Sequence, residues 1–283
     1  MPWFPERRDT RLLRLLLILL VATFASAAQA ACRDAVVLVH GNAGTPAQFD
    51  NTYVELRARG WTDFEILRPS WGSKTCAACN DHSGSEETPV LDALVEAIAR
   101  SCTGRIDVIG HSMGVTLAAK QIVAYGLAID VATFVGIAGA YRGLWSCGTY
   151  PWNVATSTCG AQGLSINSPL LASLAGRPLG MKTYSIKSWI DQIVCYGGVC
   201  SVGGVHSSTL PGENASHTIA TGHFGLLTDT AVAAGRSDPV GAARAMRCPR
   251  IARHDRPRKA RIRSSSESSP SRNATSRGAL PST

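Results

Sequence analysis

Acidic residues are scarce in this sequence: 20 Asp and Glu face 28 Lys and Arg over 283 residues, a formal net charge of +8. Spread over a folded surface, that excess would point to nucleic acid or an anionic membrane. It is not spread. Residues 1–30 carry four Arg against two acids, residues 31–243 carry 13 basic against 16 acidic residues, and residues 244–283 carry 11 against two. The body is mildly acidic, so its charge requires no nucleic-acid partner. Also lacking is an apolar run of the roughly 20 residues that a membrane-spanning helix needs. The run Leu12 to Ala25 is shorter, follows Arg7, Arg8 and Arg11 with Arg14 near its start, and leads into Ala28-Gln29-Ala30, the order of a secretory leader cut after Ala30. Gln29 stands where a lipoprotein signal ahead of Cys32 wants a branched or leucine-like side chain. No second Cys-x-x-Cys accompanies Cys76-Ala-Ala-Cys79, and His82 alone makes a poor zinc set. No metal is expected, and export makes disulfides the reading of the nine cysteines.

The segment from Cys248 onward is rich in Arg and Ser, contains Pro249, Pro257, Pro270 and Pro281, and has no apolar periodicity. It cannot bury enough surface to order itself, so residues 248–283 are expected to form a disordered basic tail. Residues 31–247 suffice for one well-buried domain. Within them, short apolar runs recur at Ala35–Val39, Phe64–Leu67, Ile106–Ile109, Ala132–Ile137, Lys182–Ile186 and His217–Thr221. Helical periodicity separates several of them, over Thr88–Arg100 and Met113–Tyr125. Such alternation implies a mostly parallel sheet with helices on both faces. Cys32 and Cys102 each stand four residues before an apolar strand; adjacent parallel strands would bring them to one height, within bridging range. Cys147 with Cys159, and Cys195 with Cys200, are spaced to clamp single loops, which leaves Cys248 odd. The stretch 141–180, rich in Gly, Ser, Thr and Pro, breaks the rhythm and reads as an inserted loop region, stapled by Cys147 and Cys159, that forms a wall of the substrate site.

Gly110-His111-Ser112-Met113-Gly114 follows an apolar strand and opens an apolar-periodic helix. That context makes a G-x-S-x-G match meaningful: the glycines permit a sharp turn that presents the serine hydroxyl at the top of the sheet, as in the α/β-hydrolase fold. Ser112 is the candidate nucleophile. It needs a histidine base and an acid to hold that base, in the chain order Ser, acid, His. Between Ser112 and His223 the only acidic residues are Asp130, Asp191 and Glu213. Asp130 immediately precedes a strand and so lies at the wrong edge, since catalytic groups gather at carboxyl ends. Glu213 sits in a turn close to the final strand. Asp191 follows the strand Lys182–Ile186 and is the candidate acid. Among the histidines, His217 would start the last strand, His254 lies in the tail, and His206 in a Gly- and Ser-rich loop is the fallback. His223, ending that strand within Thr221-Gly222-His223-Phe224-Gly225, is the candidate base. Oxyanion donors are expected from the backbone N–H of Met113 and of Asn42 in the loop His40-Gly41-Asn42-Ala43-Gly44. His40 precedes Ser112 and reads as structural.

With these residues in hand, the H-G-x-x-G loop, the H-S-M-G elbow and the G-H-x-G-L-L segment resemble the compact bacterial extracellular lipases over roughly residues 35–230. The resemblance implies Ser112, Asp191 and His223 as triad, Asn42 and Met113 as oxyanion donors, and no cofactor. Val39-His40-Gly41-Asn42, Ala138 to Cys147 and Asp191-Gln192-Ile193-Val194-Cys195 are similar to segments of extracellular polyhydroxybutyrate depolymerases with a lipase-type serine box. The expected activity is hydrolysis of lipid or medium-chain carboxylic esters by an exported enzyme in contact with lipid aggregates. Polyester depolymerisation is the alternative, and transacylation would use the same acyl-enzyme. A noncatalytic binding protein on this fold would be expected to have lost a triad member, and none is missing here.

Overall fold

The computed structural model describes residues 32–228. The expected leader 1–30, the basic tail 248–283 and Cys248 lie outside the described residues. The chain runs through β1 (Ala35–Val39), α1 (Asp50–Ala58), β2 (Ile66–Leu67), α2 (Glu87–Arg100), β3 (Ile106–His111), α3 (Met113–Tyr125) and β4 (Val131–Ile137). It continues through β5 (Leu144–Thr149), β6 (Ser165–Ile166), α4 (Pro169–Leu174), β7 (Lys182–Lys187), β8 (Ser201–Val202), β9 (Val205–His206) and β10 (Ala215–Thr218). Six strands form one sheet in the order β10-β7-β4-β3-β1-β2, with every neighbouring pair parallel.

Strand β1 shows why the sheet is covered on both faces. All five of its residues are buried, and its pleat splits them between two cores. Ala35, Val37 and Val39 pack with Leu94 of α2 and with Leu117 and Ile122 of α3. Val36 and Leu38 pack with Phe49, Ile137 and Leu226, against which Tyr53 and Leu56 of α1 lie. Each such side chain contributes about 1.5–3 kcal/mol on full burial, and an alternating polar residue would have no solvated face to occupy. From β1 the chain steps outward to β2 and then returns to β3 on the other side of β1. That reversal opens a crevice at the carboxyl ends of β1 and β3, where ligands of open α/β sheets bind.

At the opposite end, Cys32 bridges Cys102 with Cα atoms 5.3 Å apart, because Ala35 pairs with Ile106 in the register of β1 and β3. Cys147–Cys159 and Cys195–Cys200 clamp their loops as the spacing predicts, and Cys76 bridges Cys79.

Three expectations need correction. The predicted strand Phe64–Leu67 shrinks to Ile66–Leu67; Glu65 turns back to accept from the Thr62 backbone and hydroxyl, and exposed Phe64 lies under the Arg100 guanidinium. The last strand is Ala215–Thr218 rather than His217–Thr221. Asn214 starts it by exchanging hydrogen bonds with Thr183, and its ladder ends where Thr218 meets Lys187, the last residue of β7. His217 is therefore an exposed residue inside the strand, and His223 lies in the loop five positions beyond it. The insertion 141–180 is also more than a loop: it contains α4 and the parallel pair β5–β6.

The Cys32–Cys102 bridge closes 70 residues, for which chain entropy gives about 4 kcal/mol. The double variant Cys32→Ser/Cys102→Ser should lose about 2–4 kcal/mol in urea unfolding while keeping its kcat, because the bridge sits at the far end of the sheet from the crevice. Unchanged stability would contradict this.

Candidate active site

The turn from β3 into α3 is built by close backbone approach. Ser112 sits at φ 52°, ψ −127°, a conformation that costs a non-glycine residue of order 1–3 kcal/mol and persists only where surroundings over-determine it. Here they do. A Cβ on Gly110 would fall 2.8 Å from Val115 Cα, and one on Gly114 would collide with the carbonyls of Val39 and His40. The Ser112 N–H donates to Ile137 of the neighbouring strand at 2.8 Å. The residue after Ser112, Met113, begins α3, so its N–H is one of the first-turn donors that an α-helix leaves without an intrahelical partner.

The loop after β1 packs directly against this turn. A Cβ on Gly41 would lie 3.0 Å from Ser112 Cβ and 2.9 Å from His111 Nδ1. The Gly41 N–H is taken by Gln48 Oε1 at 3.1 Å, so the next backbone N–H along the loop is that of Asn42. The Asn42 side chain is turned away from that position: its amide donates to Ala77 O at 3.0 Å and its oxygen accepts from Asn80 Nδ2 at 2.7 Å. His40 anchors the loop from beneath. It is stacked on Trp71 with centroids 5.1 Å apart, donates from Nδ1 to the Gly41 carbonyl at 2.8 Å and accepts the Trp71 N–H at Nε2. Burial holds its pKa down at about 4, with Lys74 acting in the same sense against the Gly41 hydrogen bond.

Asp191 and His223 meet as a buried pair. His223 Nδ1 donates to Asp191 Oδ2 at 2.8 Å and lies 2.9 Å from Oδ1, and both residues are within 2% of full burial. Burial alone would raise the Asp191 pKa, but the His223 hydrogen bond and charge and the Val194 and Ile193 N–H groups outweigh it, so the carboxylate is held below its ordinary range. Those two N–H groups bind Oδ1 at 2.9 Å each and fix the carboxylate plane. With Nδ1–H bound to Asp191, the lone pair of neutral His223 is on Nε2.

Two residues that sequence reasoning did not single out hold the backbone of His223. Gln192 Oε1 accepts the backbone N–H of His223 at 3.1 Å, and His111 Nε2 donates to the His223 carbonyl at 3.2 Å, with the two rings 4.8 Å apart. His111 is buried with its pKa down at about 3, through burial first and the neighbouring His223 second. Its place inside the serine pentapeptide was the available signal; Gln192 offered none beyond standing next to Asp191.

The alternatives are engaged elsewhere. Asp130 passes its carbonyl to the start of β3, at the far edge of the sheet. Glu213 faces Lys187 at 3.3 Å. His206 donates to Ser188 O at 3.0 Å and accepts the Ser208 N–H, so both its nitrogens are occupied. His206 also lies near Cys195 and Cys200, but those sulfurs are bonded to each other, which removes a thiolate ligand set. Around the Asp191–His223 pair stand exposed Trp189, Ile190, Ile193 and Phe224, and Phe224 meets the His223 ring edge-on at 5.3 Å. Trp145, from the insertion, donates to Ser201 O across the same loop and is itself exposed.

The fold is that of the α/β-hydrolases, a class that builds its sites at this edge of the sheet. The family model described as "Lipase (class 2)" matches residues 33–234, and the chain belongs to that family. It is a carboxylic-ester hydrolase. Among solved structures, the mature form of the Bacillus licheniformis lipase BlEst2 is similar with a TM-score of 0.50 and 12% identity, over 72% of this chain and 90% of that one. The propeptide form of the same lipase gives 0.52 and 11%, over 81% of this chain and 54% of that one. At such identities the likeness carries the fold alone. No protein of curated function matches the chain by sequence. Among the described residues no helix is long and apolar enough to cross a membrane.

His40, His82 and His111 all have pKa values lowered by burial, to about 4, 4 and 3. As pH falls through 6.5 the unfolded chain binds protons that the folded chain refuses, so stability is fully present above about 6.5 and declines toward 4. Urea unfolding at pH 5.0 should give about 1–2 kcal/mol less stability per histidine than at pH 7.5. Equal stability at the two pH values would show that these rings are not held neutral.

Proposed function

We propose that Ser112 is the nucleophile of an exported lipase or esterase that works through an acyl-enzyme, with His223 as base, Asp191 as its orienting acid, and the Asn42 and Met113 N–H groups as oxyanion donors. The observation that carries this reading is the buried Asp191–His223 hydrogen bond at 2.8 Å, placed at the same end of the sheet as the strained Ser112 turn. Nδ1–H is committed to Asp191, so Nε2 accepts the Ser112 proton as Oγ bonds to the ester carbonyl carbon. The carbonyl oxygen becomes an oxyanion, stabilised by the two preorganised N–H donors. Collapse of the adduct breaks the bond to the leaving alcohol, which takes the proton from Nε2. Water then repeats the sequence on the acyl-enzyme and releases the acid. Ser112 Oγ makes no hydrogen bond to the imidazole in the free protein, as is common for catalytic contacts that tighten only with substrate.

The exposed apolar side chains Trp189, Ile190, Ile193 and Phe224 beside His223 suit a lipid or medium-chain acyl ester at a lipid aggregate. A polyester chain is the second reading, favoured by exposed Trp145 on the insertion, which extends the same apolar rim. Four disulfides among the described residues support an oxidising destination outside the cytoplasm.

Ser112→Ala should lower ester hydrolysis by about 10⁴-fold or more and abolish labelling by a serine-directed phosphonate, with an unchanged unfolding midpoint. Retained turnover would refute the nucleophile. Initial rates of the wild-type protein on p-nitrophenyl esters of increasing chain length, emulsified triglyceride and amorphous polyhydroxybutyrate separate the two substrate readings.

A further inference from the structure

We propose that Asn80 and Thr158 are positioning residues for the oxyanion site: they act through Asn42, and through them the insertion 141–180 sets the rate of acylation. The proposal rests on the reading of the Asn42 N–H as an oxyanion donor. Asn42 follows a loop whose first residues are tightly held, Gly41 by Gln48 and His40 by Trp71. Beyond them Ala43 adopts φ 51°, so the peptide carrying the donor stands at the start of a turn and needs support from its side. That support is the Asn42 side chain, which spends both its polar atoms on the segment 77–80.

The segment is itself fixed from two directions. Asn80, 1% exposed, donates to Asn42 Oδ1 and to Ser73 O and accepts the Ser73 N–H at 2.7 Å. Both its amide hydrogens are used and its oxygen accepts, so its orientation is set. From the other side, the Thr158 hydroxyl lies 2.6 Å from Ala77 O and 2.6 Å from Asn80 O. The Ala77 carbonyl therefore faces both Asn42 Nδ2 and Thr158 Oγ1. The carbonyl and its Thr158 partner are each stapled close by, since Ala77 lies within the Cys76–Cys79 bridge and Thr158 precedes Cys159 of the Cys147–Cys159 bridge. A second tie joins the same two regions: the His82 backbone and ring both donate to Gln162 O at 2.9 Å. The insertion thus reaches the oxyanion loop through one threonine hydroxyl and the two carbonyls it meets, those of Ala77 and Asn80, at a place remote in sequence from Ser112.

Loss of the hydroxyl frees the Ala77 carbonyl to shift and lets the Asn42 peptide relax. Small displacements of a preorganised donor are felt in the transition state more than in substrate binding. Thr158→Val should therefore lower kcat about 10-fold on a p-nitrophenyl ester with KM unchanged, and should weaken inhibition by an alkylboronic acid in proportion. The boronate forms a tetrahedral adduct with the nucleophile, and one of its oxygens occupies the oxyanion position. Thr158→Ser keeps the hydroxyl and should restore both values to within about twofold of wild type. Cys76→Ser/Cys79→Ser should show the Thr158→Val signature, which supplies an independent route should the valine variant unfold. Wild-type kcat in both Thr158→Val and the cysteine variant overturns the proposal, as does a fall in kcat without matching loss of boronate affinity. Failure of the underlying serine reading looks different: the wild-type protein would not be inhibited by the boronate, and Ser112→Ala would retain turnover.

Discussion

The close approach of two backbone turns, one after β1 and one after β3, is the constraint on which the rest of the site depends. Gly114 lies against the carbonyls of Val39 and His40, and Gly41 lies against Ser112. Neither approach leaves room for a Cβ. The approach is possible because β1 and β3 are adjacent parallel strands in register, Val39 opposite Gly110, so that both chains leave the sheet at one height and into one crevice. The strained serine backbone and the loop after β1 stand around that contact.

Buried polar groups then decide orientation. His40, His82 and His111 are neutral rings in an apolar surrounding, and each satisfies backbone or hydroxyl partners instead of carrying charge. His111 holds the His223 carbonyl through Nε2, and its Nδ1 lies on the side of Gly41. Asp191 is the buried charge of the site. It is tolerated because two N–H groups and the His223 ring surround its oxygens. Removal of any one of these partners would leave a charge poorly solvated, so the loop that follows β7 is locked by electrostatics as much as by the Cys195–Cys200 bridge.

Much of the fold was legible in sequence because its cause is local. The Val-rich run 35–39, the helical periodicity of 113–125 and the glycines around Ser112 each imply their own conformation. The weakly patterned edges were misread: β2 and β10 lie at the two ends of the sheet, where one missing neighbour relaxes the need for buried apolar residues and lets turn chemistry at Glu65 and Asn214 set the bounds. The order of chemistry-bearing residues directed attention to Asp191 and His223, and the structure brings those two within 2.8 Å. Gln192, Asn80 and Thr158 carried no signal, since an amide or a hydroxyl in a loop acquires a role only from what folds against it.

Sequence alone determined the alternation of strand and helix, the strand-to-helix context of Ser112, and the spacing that pairs Cys147 with Cys159 and Cys195 with Cys200. These follow from side-chain size, periodicity and short loops. Tertiary structure decided which long-range partners meet: the His111 ring beneath the His223 carbonyl, Gln192 at its N–H, and Ala77 between Asn42 and Thr158. The physical reason is that a hydrogen bond between residues 81 or 112 apart depends on the register of the sheet and the path of the loops above it, and no local pattern encodes either.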